Sequence, residues 1–266
     1  MGDEGVANYQ VRALTRGLAV LSCFTPEAPR HGLPDLSQQV GVPKATLYRL
    51  LETLCAAEFL EQDPDGGYSL GIRAFDVGSA YLTKLDFPHS AHRALEELAA
   101  ACKETASLGV LSRGEVVYVG IERAQREIGI QSQVGTRHPT HCTALGKVLL
   151  ADLANDQVLQ ILEGSGMSAL TEYTITSAAT FLAELAEVRL RGYAIDNEER
   201  SYGVKCIAAP IRDAHGRVIG AISVSGPAFR VSAETLPLLI DSVTAAAAAI
   251  SRRQGYRGAA HMTDSR

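Results

Sequence analysis

No stretch of this 266-residue chain holds the ~20 consecutive apolar residues that a membrane-spanning helix needs. The opening MGDEGVANYQ is acidic and lacks the apolar core of a secretory signal, so the protein is expected in the cytoplasm. Its five cysteines (Cys23, Cys55, Cys102, Cys142 and Cys206) are odd in number, widely spaced and free of any C-x-x-C pair. That excludes a disulfide framework or a structural zinc site as the organising device and fits a reducing compartment. Nucleophile elbow, phosphate loop and H-E-x-x-H are missing too, so no catalytic group, metal or cofactor is expected. Cations are in deficit: 25 Lys and Arg face 30 Asp and Glu, a net charge of −5 that by itself implies no partner.

What is present begins with helical punctuation. VRALTRGLAVLSCF puts Val11, Leu14, Leu18 and Leu21 on one stripe, and the prolines and glycine of PEAPRHG end it. LPDLSQQVG reads as a short second helix, with Pro34 in its first turn, Asp35 at its positive end and Gly41 just past its last turn. GVPKATLYRLLETL then repeats Leu47, Leu50, Leu51 and Leu54 at i, i+3, i+4 and i+7. Three short helices with a tight turn before the third make a helix-turn-helix. FLEQDPDGGYSL follows as two strands around Pro-Asp-Gly-Gly, the wing of a winged helix-turn-helix.

In such a unit the third helix presents its N-terminal residues to the major groove. Lys44, Ala45, Tyr48 and Arg49 are then the reading head, Thr46 a phosphate contact, and Arg12 and Arg16 a local cationic patch. Residues 1–70 carry five cations against nine carboxylates, so attraction to DNA has to come from that patch and from helix N-termini.

These segments, with HCTALGKVLLA (141–151), RGYAIDNEERSYGVKCIAAPIRDAHG (191–216) and AISVSGPAFR (221–230), resemble the IclR family of bacterial transcriptional regulators from about residue 10 to 252. The resemblance implies a repressor or activator, dimeric or tetrameric, that answers a small organic or aromatic acid and binds double-stranded operator DNA. Pro34 and Pro43 depart from the Thr or Ser caps common in relatives, and Ala144-Leu145 from a smaller, glycine-containing pair.

Read from its own patterns, the rest of the chain is α+β. A connector helix over 72–87 is stopped by Pro88, and HSAHRALEELAAACKETA is a second amphipathic helix. Strands are expected over ASLGVLS, EVVYVGIE and REIGIQSQ, helices over 142–153, 156–163 and 177–191, strands over 204–213 and 217–226, and a last helix over 232–252. The domains expected are a winged helix-turn-helix (1–71), a linker helix (72–87), a GAF- or profilin-like effector domain (88–253) and a structureless tail (254–266). Phe75, Val77, Tyr81, Leu82 and Leu85 give the linker more apolar surface than a spacer needs, pointing to a partner subunit.

The helix after Pro139 starts with N–H groups that lack intrahelical partners, an anion site that includes Ala144 and Leu145. The family resemblance sets Asp196, Cys206, Ser223 and Ser225 opposite it, with Ile130, His138 and Val204 completing the wall. Ser223 and Ser225 are two apart and share a strand face. Three other functions compete with this one: a thiol-based redox sensor, an enzyme using Cys206 or Cys142 as nucleophile with His138 or His141 as base, and an architectural DNA protein without effector, which the large second domain argues against.

Overall fold

Ten apolar-periodic residues, Arg12–Leu21, wind into α1, and only Val20 among them is fully buried. The computed structural model describes residues 11–84, 88–124, 126, 129, 130 and 132–258, in two units that divide between residues 85 and 86. In the first, α1 is followed by β1 (Arg30–His31), α2 (Leu33–Val40), α3 (Lys44–Ala56), β2 (Leu60–Gln62), β3 (Tyr68–Leu70) and α4 (Ile72–Lys84). Gly41, at φ 67°, ends α2 in the left-handed conformation that glycine adopts without a Cβ clash. Val20, Phe24, Leu36, Val42, Leu47, Leu51, Leu60 and Tyr68 form the core of this unit.

One feature of the first unit differs from the sequence reading. The PEAPRHG break contains β1, which pairs with β3 and makes the wing three-stranded in the order β1-β3-β2. A two-residue strand behind prolines has no periodicity to betray it. Of the α1 stripe, Leu21 packs against this core while Val11, Leu14 and Leu18 are exposed, and so are Phe75 and Val77 of α4. The side chains of Tyr81 and Leu82, and all of Leu85, lie outside the described residues.

The second unit runs α5 (Pro88–Cys102), β4 (Thr105–Ser112), β5 (Glu115–Glu122), β6 (Arg137–Pro139), α6 (Ala144–Ala151), α7 (Asn155–Ser165), α8 (Ala178–Arg191), β7 (Ala194–Asn197), β8 (Val204–Arg212), β9 (Val218–Pro227) and α9 (Leu236–Arg253). Its strands form one antiparallel sheet in the order β6-β5-β4-β9-β8-β7. Helices α5 and α9 pack together over one face. The eight residues of α6 lie buried on the other, with α7 and α8 behind it around Val148, Leu149, Phe181 and Leu185. Glycine lets α6 come close: a Cβ on Gly109 would sit 3.0 Å from Leu145 Cδ1, and one on Gly146 only 2.2 Å from the Thr140 carbonyl.

The described residues of REIGIQSQ do not form the expected strand. Arg126, Gly129, Ile130, Ser132 and Gln133 carry no ladder, and the other positions lie outside the described residues. The short β6 takes the sheet edge instead, starting after Gly135 turns the chain at φ 90°. Strand β7 had no alternation to reveal it, because a four-residue edge strand shows two residues per face. Of the tail, Gln254–Gly258 are described; the Tyr256 N–H donates to the Ser251 carbonyl at 3.0 Å.

Candidate effector pocket and nucleic-acid interface

On α3, burial of Leu47 and Leu51 turns the opposite side outward. Lys44, Ala45, Tyr48 and Arg49 all lie exposed there at i, i+1, i+4 and i+5, and Thr46 is exposed in the same turn. Glu52, one turn on, accepts from the Tyr48 hydroxyl and holds that phenol above its usual pKa. Arg12 and Arg16 sit exposed one turn apart on α1. At the wing tip Arg30 bonds Asp63 (2.7 Å) and Asp65 (2.5 Å), so those two carboxylates do not stand bare toward an approaching phosphate. Sequence reasoning counted Arg30 among the cations and missed this role.

The second unit collects polar residues on the sheet face beneath α6. Cross-strand partners point to the same face, so the ladder decides which side chains meet. Asp196 pairs with Cys206, Cys206 with Ser225, and Ser225 with Thr105: one row across β7, β8, β9 and β4. The next row holds Ala194, Ala208, Ser223 and Ser107. Val204, two before Cys206, shares its face at the strand end. Thr105 Oγ1 donates to the Ile130 carbonyl at 3.0 Å, which fixes Ile130 beside the row. On the same face of β6, the His138 ring meets Tyr118 edge-on, with centroids 5.1 Å apart.

Helix α6 closes the site. Thr143 caps it by accepting from the Gly146 N–H at 3.1 Å, leaving the N–H groups of Ala144 and Leu145 at its positive end. The Leu145 side chain itself packs against Gly109, so what it offers the site is backbone. Lys147, 1% exposed, reaches out of α6 to the Ile195 carbonyl (2.9 Å) and Glu199 (2.5 Å), with Glu184 at 3.7 Å. Arg200, beside Glu199, donates from Nη2 to His138 Nδ1 at 2.8 Å and from Nη1 to Ser201 Oγ at 3.2 Å.

Burial dominates the electrostatics. It pushes the Asp196 carboxyl up to about 7, even though the Glu199 and Arg200 N–H groups donate to it at 2.8 and 3.4 Å. Burial likewise pushes the Cys142 thiol up to about 12 and raises Cys206, with Asp196 adding to both. Neither cysteine is therefore a ready thiolate, which counts against the redox and nucleophile readings. Three buried side-chain atoms have no hydrogen-bond partner among the described residues: His141 Nδ1, Glu199 Oε2 and Arg200 Nε. All belong to the loops beside α6 and β7.

Sequence reasoning missed Thr105, Ser107, Tyr118, Lys147, Glu199 and Arg200. Thr105 and Ser107 left a signal, since two hydroxyls at i, i+2 in an apolar strand mark one polar face. Lys147 left one too, a lone cation in the otherwise apolar ALGKVLLA. Arg200 is a loop residue, and nothing local distinguishes it. A separate cleft of about 690 Å³ lies between β8 and α9, where Arg212 is bonded to Asp152 at 2.8 Å.

Comparison with known proteins agrees with this architecture. A family model described as bacterial transcriptional regulator IclR C-terminal matches residues 79–252, and one for the IclR helix-turn-helix domain matches 13–64. The transcriptional regulator KdgR of Escherichia coli K12 is 39% identical over 226 residues, 85% of this chain and 86% of that protein. The transcriptional repressor AllR of the same strain is 33% identical over 230 residues, 86% of this chain and 85% of that protein. An IclR homologue of Microbacterium hydrocarbonoxydans, solved with 4-hydroxybenzoate, shares the fold at TM-score 0.83 and 23% identity, covering 91% of this chain and 98% of that one.

Proposed function

We infer the function of this chain from one premise: it belongs to the IclR family of bacterial transcriptional regulators. It is a transcription regulator and not an enzyme, with a helix-turn-helix domain for DNA and a C-terminal domain for a small-molecule ligand. In our reading α3 enters the major groove of an operator, with Lys44, Ala45, Tyr48 and Arg49 toward the bases and Arg12, Arg16 and Thr46 toward phosphates. The domain limits are those read from the sequence, with α4 inside the linker and the exposed apolar faces of α1 and α4 meeting a second copy in a homodimer or tetramer. The protein acts in the cytoplasm. Repression is the favoured mode, a reading supported by the name of AllR.

The effector is a small carboxylate, aromatic acids included, and the 4-hydroxybenzoate of the Microbacterium protein supports an acidic ligand. One carboxylate takes the N–H groups of Ala144 and Leu145 and the hydroxyls of Ser223 and Ser225. Asp196, Cys206, His138, Ile130 and Val204 line the remainder. The observation that carries this reading is the pair of polar rows buried on the sheet face beneath α6, Asp196, Cys206, Ser225 and Thr105 in one and Ser223 and Ser107 in the next, since a native interior rarely gathers so many buried polar groups without a use for them.

Calorimetric titration of small carboxylates, beside an operator gel shift, tests it. Hydrogen bonds to a charged group are worth ~1.5–3 kcal/mol each, so Ser223→Ala and Ser225→Ala should weaken the acid roughly tenfold to a hundredfold. Operator affinity without effector should stay unchanged. Unaltered acid affinity in both variants would move the pocket elsewhere, and lost operator binding would assign the serines to holding the fold.

A further inference from the structure

Among the described residues, no carboxylate lies within ion-pair distance of the Arg200 guanidinium. Its Nη2 is spent on a histidine nitrogen, and its Nε, on the same edge of the fork, is buried without a partner. The edge made by Nε and Nη2 is the one this chain uses elsewhere to grip a carboxylate: Arg230 holds both oxygens of Glu104 with those two nitrogens. A guanidinium fork matches a carboxylate because two parallel N–H groups meet two oxygens. In Arg200 one tine is empty and the other rests on a neutral acceptor.

The fork faces the pocket. Its Nη2 bonds the His138 ring that packs edge-on against Tyr118, and the Arg200 backbone N–H donates to the Asp196 carboxyl at 3.4 Å, so the residue borders the polar row. A partly buried cation without a counter-charge is costly, and a ligand that supplies the counter-charge gains what the protein leaves unpaired.

We propose that Arg200 is a second anion anchor of the effector pocket, that its Nε and Nη2 take a carboxylate in exchange for His138, and that the effector is a dicarboxylic acid. This rests on the pocket reading above: the first carboxylate lies at the start of α6 with Ser223 and Ser225, and the second on Arg200. His138 is the placeholder of the empty state, its Nδ1 necessarily the acceptor because a guanidinium only donates. A monocarboxylate leaves the fork as it stands, and so binds with one anchor.

Matched acids of equal chain length decide the matter: succinate against butyrate, glutarate against pentanoate and adipate against hexanoate, each titrated calorimetrically into the full-length protein. At least one diacid should bind roughly tenfold to a hundredfold more tightly than its monoacid. Arg200→Gln should bring that diacid down to the monoacid's affinity, whereas Arg200→Lys, a point charge without the fork, should keep part of the difference. Ser225→Ala should weaken both members of the pair by the same factor. In nitrogen-15 spectra, the His138 Nδ1 resonance should move when the diacid binds and stay when the monoacid does. Equal affinity for mono- and diacids in the wild type, a diacid preference that survives Arg200→Gln, or an unmoved His138 resonance would each overturn the Arg200 anchor. With Ser225→Ala still weakening binding, the pocket would stand; if no acid bound the wild type, anchor and pocket would fall together.

Discussion

Arg200 follows β7 on one edge of the six-stranded sheet, and His138 lies in β6 on the other, yet a hydrogen bond of 2.8 Å joins them. Strands stand ~4.8 Å apart, so the edges of a flat six-stranded sheet would be separated by roughly 24 Å. The bond therefore reports how far the sheet curls, and it runs across the concave face that holds Asp196, Cys206, Ser225 and Thr105.

Charge is held in this curl by a pair whose removal should be felt throughout the unit. Lys147→Ala leaves Glu199 buried without its cation and should cost ~3–5 kcal/mol, read as a lowered denaturation midpoint in urea. The double variant Lys147→Met, Glu199→Gln removes both charges and should recover most of that loss. A single variant as stable as the wild type would mean that Glu199 is solvated.

The raised carboxyl of Asp196 has a definite sign. Its pKa is about 7 in the folded protein, against ~3.9 in an unfolded chain, so the folded state holds the extra proton between those values. Stability should fall as pH climbs from about 4 to about 7 and level off above. Asp196→Asn keeps an acceptor for the Glu199 N–H and removes the titration. Its stability relative to wild type should rise by ~1.4 kcal/mol per unit across that window, measured by thermal unfolding at pH 5 and pH 8. An equal difference at both pH values would contradict the shift.

Reading of DNA should separate two neighbours on α3. If Arg49 grips a guanine bidentately, Arg49→Ala costs ~1–3 kcal/mol on the operator and relaxes one base position. Lys44→Ala on a phosphate weakens all sequences alike and lowers the salt slope by about one. Gel-shift titrations at several salt concentrations distinguish them, and wild-type operator affinity in both would remove α3 from the interface.

Assembly should depend on the faces that the single chain leaves bare. Phe75 is 68% exposed and Leu14 62%. Phe75→Glu or Leu14→Glu should shift the protein toward monomer in sedimentation at micromolar concentration and weaken operator binding with it. A wild type that sediments as monomer, with and without operator, would exclude the dimer.

The first unit was legible in the sequence because its signals are local. The leucine spacing of α3, Gly41 and the Pro-Asp-Gly-Gly turn each act within a few residues, so helix, turn and wing follow from chain-neighbour chemistry. Local signals also marked the α6 start as a place for an anion; Ser223 and Ser225 are singled out by the family resemblance, and their spacing only puts them on one strand face. What local signals left open was which face of an amphipathic helix meets the core: the spacing sets Val11, Leu14, Leu18 and Leu21 on one stripe, and the structure buries Val20, packs Leu21 on the core and leaves Val11, Leu14 and Leu18 outside. Periodicity reports that a helix has two faces, and only packing says what covers each. The same limit hid β1, β7, Thr105 and Arg200. Strand register sets Asp196, Cys206, Ser225 and Thr105 in one row although about 90 residues separate Thr105 from Asp196, and the curl of the sheet brings Arg200 to His138 across 62 positions of chain. Side chains this far apart in sequence share no local propensity. Their meeting is decided by hydrogen-bond registers and by the burial of α6 against the sheet, which exist only once the whole unit has folded.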